Sequence, residues 1–271
     1  MTVQEIDLNP IPLEPIIGHS SKGNQPKWQV RNRWYKADHM GYEALVEILV
    51  SGLLAKTNIS DFVAYKPARI QYQGKSLRGC VSQNFRGQHE MLIPVERLHR
   101  AYHGKGLAET IGSLPTAAER IRYTVDFVER TTGLSHVGPY LTMILELDQL
   151  FLNEDRHTNN LAVIRDEKTL SFRLCPIFDN GLSLLSDLND YPLDGDIYAC
   201  IERVRAKPFS LDFDDQVEGA NQLYGSFLKC QFTRDDVRKQ LDALAGFYPD
   251  TSLQRVERIL YEQMRRYGIY F

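Results

Sequence analysis

The sequence predicts an α+β protein, mostly β with one helix over residues 1–85 and mostly helical over residues 86–271. Three observations carry this expectation. The chain has 271 residues, more than a typical single domain, so one large domain or two lobes around a cleft are the arrangements to expect. Strand-like segments dominate up to Phe85 and helical periodicity dominates beyond it. A polar loop closes the most apolar helix and is followed by short strands and an Asp-Asn-Gly turn.

Residues 1–15 mix proline with apolar side chains without a helical period, and read as an extended lead-in to a strand at about 15–17. The segment 18–27 carries two glycines, a proline and short polar residues, the composition of a turn rich in exposed backbone N–H groups. Strands are expected at 28–30 and 34–37. From 40 to 54, Tyr42, Leu45, Val46, Leu49, Val50 and Leu53 recur at helical spacing, with Glu43 and Glu47 on one ridge. Three strands follow, at 62–66, 68–72 and 77–84, separated by Pro67 and by Gln73-Gly74. Helices are expected at 94–102, 115–131 and 137–152, the last apolar enough to be buried. Polar residues 153–160 lead into strands at 161–164 and 169–178 and a turn at 179–181. Residues 211–267 read as helices broken near Pro249-Asp250.

An apolar fraction of 43% with 25% charged residues excludes a disordered or fibrous chain. A net charge of −3 gives no basic field for tracking phosphates, so no nucleic-acid partner is expected. Cys80, Cys175, Cys200 and Cys230 are far apart with no C-x-x-C pair, which points to reduced thiols rather than a zinc site or disulfides. His19, His39, His89, His99, His103 and His136 show no metal-binding spacing. The first residues lack a signal-peptide pattern and no apolar run is long enough to span a bilayer, so the expectation is a cytoplasmic protein without a membrane partner.

The stretch with chemical content runs from Leu150 to Asn160 and continues at Ile177-Phe178-Asp179. A carboxylate on such a loop, Asp155, can orient or deprotonate an attacking hydroxyl. An amide oxygen five residues later, Asn160, can ligate a divalent metal, and a second carboxylate, Asp179, can bridge metal and phosphates. Mg²⁺ prefers a few protein oxygens completed by phosphate and water, so this donor set suffices. Each piece alone is ordinary turn chemistry; the ordered combination is what points to phosphoryl transfer.

Asn-x-Asp-Arg-His-x-x-Asn at 153–160, followed by Pro-x-Phe-Asp at 176–179, resembles the catalytic and metal-binding segments of HipA-like serine/threonine kinases. The resemblance implies a two-lobed protein-kinase-like fold with ATP and Mg²⁺ as cosubstrate and cofactor. It implies Asp155 as catalytic base, Asn160 and Asp179 as metal ligands, and His157 near the phosphates. Upstream, Gly23-Asn-Gln-Pro-Lys27 is similar to the family's phosphate loop, which implies nucleotide contacts from Ser20, Ser21 and Gly23. Lys36 resembles the strand lysine that pairs with nucleotide phosphates, with Glu47 as its ion-pair partner and Glu43 as the alternative. Residues 81–85 fall where the hinge between lobes belongs, with Gln83 and Phe85 as adenine contacts.

The family's loop opens with a serine that can be autophosphorylated. The gap-free match places Lys22 there, directly after Ser20 and Ser21, and makes Ser21 the candidate. Only 17 residues precede Gly18, so the family's additional N-terminal subdomain is not expected. The implied function is an ATP-dependent serine/threonine protein kinase with a protein substrate, of the kind that serves as toxin beside an antitoxin partner. Two alternatives stand beside it. A lipid or small-molecule kinase shares the Asp-Arg-His-x-x-Asn string, but 180–200 carries Asp187, Asp190, Asp194 and Asp196 and no Lys or Arg, which disfavours an anionic lipid. A non-catalytic pseudokinase predicts loss of Lys36, Asp155, Asn160 or Asp179, and all four are present.

Overall fold

The computed structural model describes residues 2–13 and 25–271. Among these, the strands β1 (Gln4–Asp7), β2 (Lys27–Val30) and β3 (Arg33–Ala37) come first, then the helix α1 (Glu43–Leu54), then β4 (Tyr65–Tyr72) and β5 (Lys75–Gln83). These strands form one sheet in the order β1-β4-β5-β3-β2. All neighbours are antiparallel except β1, which runs parallel to β4 with Ile6 opposite Ile70.

Side chains alternate between the two faces of this sheet. Trp28, Tyr35, Ala37, Ile70 and Val81 gather with Leu8 on one face in a small core of their own. Lys36 and its cross-strand neighbours Cys80 and Lys27 lie on the other face, toward α1. Helix α1 is buried at every position but Gly52, because it meets the sheet on one side and the helical lobe on the other. The main core therefore runs from α1 and Cys80 continuously into the second lobe.

The second lobe begins with β6 (Glu90–Pro94), α2 (Val95–His103), α3 (Leu107–Gly112), α4 (Ala117–Thr132) and α5 (Val137–Phe151). A capping box between Thr116 and Glu119 starts α4, and Gly133, at a φ of 73°, ends it. Strands β7 (Ala162–Asp166) and β8 (Phe172–Leu174) pair with β6 in the order β6-β7-β8. The chain closes with α6 (Ile197–Arg203), α7 (Phe213–Tyr224), α8 (Arg234–Asp242), α9 (Asp250–Arg266) and a 3₁₀ turn at 268–270. The C-terminus tucks in as its aromatic composition suggests: Tyr270 is buried, its carbonyl accepts from Cys230 N at 2.6 Å, and Phe271 sits edge-on to Phe232. All four cysteines are buried free thiols. Among the described residues no helix is long and apolar enough to cross a membrane.

The structure corrects the element reading in four places. Pro67 does not separate two strands; it sits within β4, opposite Cys80, where β1 has not yet begun to pair and the strand lacks a second neighbour. The expected strand at 169–178 shrinks to Phe172–Leu174. Pro94 is the N-cap of α2 rather than its first turn, since β6 occupies the residues before it. Strands β1 and β6 and helices α3 and α6 are short elements whose few residues carry no clear period. The expected strand at 15–17 lies outside the described residues.

Candidate active site

The loop after α5 is shaped by its first residue. Leu152 adopts a left-handed conformation with φ of 56°, turning the chain out of the helix, and its N–H closes on Asp148 O. Asn153 then bonds Asp148 through its side-chain amide at 2.8 Å and receives Asp155 N on its Oδ1 at 3.1 Å. His157 N bonds Asp155 O at 2.8 Å, Asn160 N bonds His157 O at 2.8 Å, and Asn160 Nδ2 donates to Asp155 O at 2.7 Å. Residues 153–160 thus form a self-bonded loop in which Asn160 spends its amide donor internally and keeps its carbonyl oxygen as the ligand-type atom.

Asp179 enters from the end of the segment after β8, which is steered by a parallel bridge between Phe62 and Ile177. Its φ of 62° is left-handed, a conformation Asp tolerates better than most side chains. Lys36 Nζ lies 2.5 Å from Glu47 Oε1 and 2.8 Å from Asp179 Oδ1. Glu47 Oε2 accepts Asn180 N at 3.0 Å, so one glutamate ties β3, α1 and the Asp179 turn together. Glu43, the alternative partner of Lys36, is engaged elsewhere, its carboxylate accepting the N–H groups of His39, Met40 and Gly41.

Burial pushes the Asp179 carboxyl up, but Lys36, backed by the charges of Lys27 and Arg156, outweighs it and holds the group at about 2. Burial would likewise strip the proton from Lys36, and Asp179 and Glu47 reverse this, so the ammonium stays charged. Asp155 is pushed up to about 7, mainly by burial and also by Asp179, against the pull of Lys207. Burial lowers His157 from its ordinary value, and its Nε2 lies 3.7 Å from Asp155 Oδ2.

The structure brings Lys36, Glu47 and Asp179 into direct contact and keeps Asp155, His157 and Asn160 on one loop. Phe85 packs on Phe178 at 5.6 Å between ring centroids, beside the turn that carries Asp179. The side chain of Gln83 lies on the face of β5 opposite that of Lys36, its neighbour Asn84 donating N–H to Asn32 O at 3.0 Å. Ser20, Ser21 and Gly23 lie outside the described residues.

Two features have no counterpart in the sequence reading. Arg156, 2% exposed, donates to both oxygens of Asp148, to Phe178 O at 3.0 Å and to Asn180 Oδ1 at 2.9 Å, riveting the Asp155 loop to the Asp179 turn. Its partner was visible as a carboxylate inside an apolar helix, a pattern that calls for a buried cation. Lys207 Nζ approaches Asp155 Oδ1 at 3.5 Å from a segment 52 positions away, for which the sequence offers no signal.

Among the described residues no group of three or more His, Cys, Asp or Glu could hold a metal. One carboxylate and one amide oxygen, with Lys36 and Lys27 on the adjacent face of the sheet, instead suit a divalent cation whose other ligands are phosphate oxygens and water.

These elements define a kinase-like two-lobed α+β fold. The chain is similar to the crystal structure of a Helicobacter pylori proinflammatory kinase, CtkA, with a TM-score of 0.61 and 16% sequence identity, over 96% of this chain and 94% of that one. No protein-family model and no curated protein matches the sequence.

Proposed function

We propose that the protein is an ATP-dependent phosphotransferase acting on a serine or threonine hydroxyl of a protein substrate. The observation that carries this reading is the Glu47–Lys36–Asp179 chain of ion pairs set against the Asp155–Asn160 loop. Lys36 orients phosphate oxygens, and Glu47 fixes its direction. Asp155 holds the acceptor hydroxyl and takes its proton as the γ-phosphorus bonds to that oxygen and separates from the oxygen that leaves with ADP. Asn160 and Asp179 hold Mg²⁺, which when bound neutralises charge on the phosphates. Arg156 keeps the two loops in register so that these groups converge.

The protein acceptor, the toxin role and an antitoxin partner rest on the motif resemblance, as does autophosphorylation at Ser21. A pseudokinase would not need Asp155, Asn160 and Asp179 together. Incubation with γ-labelled ATP and Mg²⁺, followed by phosphoamino-acid analysis of the chain and of a cell extract, tests the reading. Phosphoserine or phosphothreonine supports it, whereas label confined to lipid or small molecules transfers the site to the alternative class.

A further inference from the structure

Asp155 is flanked on both of its oxygens. His157 Nε2 stands 3.7 Å from Oδ2, and the Lys207 ammonium stands 3.5 Å from Oδ1. Burial holds the His157 imidazole below its ordinary value, and the Lys207 ammonium brings positive charge to this side of the loop. Its approach is fixed by its neighbours. Ala206 and Phe209 are fully buried and Val204 nearly so, and Ala206 N bonds Leu211 O at 3.0 Å. Arg120 reaches in from α4 to donate to Phe209 O at 2.8 Å and to Leu114 O at 2.9 Å. The segment after α6 is therefore pinned on both sides of Lys207, while the Lys207 side chain retains 28% exposure.

We infer that Lys207 is a catalytic residue of the phosphoryl transfer proposed above, its ammonium contacting the γ-phosphoryl oxygens as that group passes to the hydroxyl held by Asp155. The inference rests on that reading of the site. Lys36 is committed to Glu47 and Asp179 on the nucleotide side, and Lys207 supplies the matching charge on the acceptor side. A fixed cation there stabilises charge spread over the equatorial oxygens. In the step, the bond from the γ-phosphorus to the ADP oxygen breaks and the bond to the acceptor oxygen forms. The acceptor proton goes to Asp155, and ADP leaves with the electron pair.

The test compares Lys207→Met and Lys207→Arg with the wild type and with Asp179→Ala. It measures ADP release from Mg²⁺-ATP with water as acceptor, label transfer to protein, affinity for a non-hydrolysable ATP analogue, and melting temperature. Lys207→Met should lower kcat about 100-fold with analogue affinity within about 3-fold, and Lys207→Arg should recover at least about 10-fold of the loss. A Lys207→Met kcat within about 3-fold of wild type overturns the inference. So does a loss in which kcat, analogue affinity and melting temperature fall together and arginine rescues nothing, since that is a structural role. Wild-type protein no more active than Asp179→Ala removes the kinase reading itself, and Lys207's role with it.

Discussion

Arg156 and Asp148 form a buried ion pair, 2.9 Å from Nε to Oδ2, with side chains 2% and 1% exposed. Burial alone would favour loss of the guanidinium proton, but the Asp148 carboxylate more than offsets it. The pair spans from the core of α5 to the loop bearing Asp155, and the remaining donors of Arg156 run on to the turn bearing Asp179. Removing only the arginine leaves a carboxylate stranded in the core. Arg156→Met is expected to cost about 3–5 kcal/mol in urea unfolding. The Asp148→Asn/Arg156→Met double variant should lose clearly less than the sum of the two single losses, because they share one interaction. Strict additivity would contradict the pairing.

Glu47 is fully buried and divides its two oxygens between Lys36 and Asn180 N. Glu47→Gln preserves its size and removes the charge that directs Lys36. Under the proposed function the expected result is a fall in kcat of roughly 10- to 100-fold with a smaller change in nucleotide affinity, since the pair would act on phosphate geometry more than on adenine binding. Steady-state kinetics beside equilibrium nucleotide titration separates the two effects.

The lobes are also joined behind the site. Tyr248 donates to Asp38 Oδ2 at 2.8 Å, Asp38 Oδ1 receives Ala44 N at 2.7 Å in the first turn of α1, and Arg78 Nε donates to Phe247 O at 2.6 Å. Tyr248→Phe leaves the buried Asp38 short of one donor and should cost about 1–2 kcal/mol. A drop in melting temperature of roughly 2–6 °C is the expected reading.

Glu90 and Arg173 link β6 to β8 through two parallel bonds of 2.7 and 2.8 Å, and Arg173 also donates to Phe85 O at the junction of the lobes. The Arg173 hydrogen bond, with Gly87 N–H, holds the Glu90 carboxyl down at about 2 against an ordinary value of 4.5. A depressed carboxyl stabilises the fold above its unfolded value and loses that contribution as pH falls through its folded value. The pair is partly exposed, so the contribution at pH 7 is discounted for screening to about 1 kcal/mol. The stability gap between wild type and Glu90→Gln should hold from pH 7 to 5 and close between about pH 4.5 and 2. Melts at stepped pH check this; a gap that widens in acid would contradict it.

The sequence disclosed long elements and local motifs far better than short elements and distant contacts. Helix α1 was legible because six apolar residues repeat at helical spacing, and the 153–160 loop because its polar residues interrupt an apolar helix. Strand β1 has four residues and exists through parallel pairing with β4, some 64 positions away, which no local period reveals. The candidate residues Lys36, Asp155, Asn160 and Asp179 were singled out because carboxylates, an amide and a lysine in that order are what phosphoryl transfer would demand. Their connections were not. The exception is the Lys36–Glu47 pair, which the resemblance implied with Glu43 as the alternative; the contact of Lys207 with Asp155 comes from a segment 52 positions away and has no local signal.

The proposed function requires that Asp179, held by Lys36 at 2.8 Å, support metal-dependent transfer from ATP. The most direct measurement is the initial rate of transfer from γ-labelled ATP to protein, with Mg²⁺ or with EDTA, for the wild type and for Asp179→Ala of equal melting temperature. Transfer that requires Mg²⁺ and falls at least about 100-fold on losing the carboxylate is the result expected. Transfer that persists in the variant or in EDTA, or that is absent from the wild type under every condition, would contradict the account.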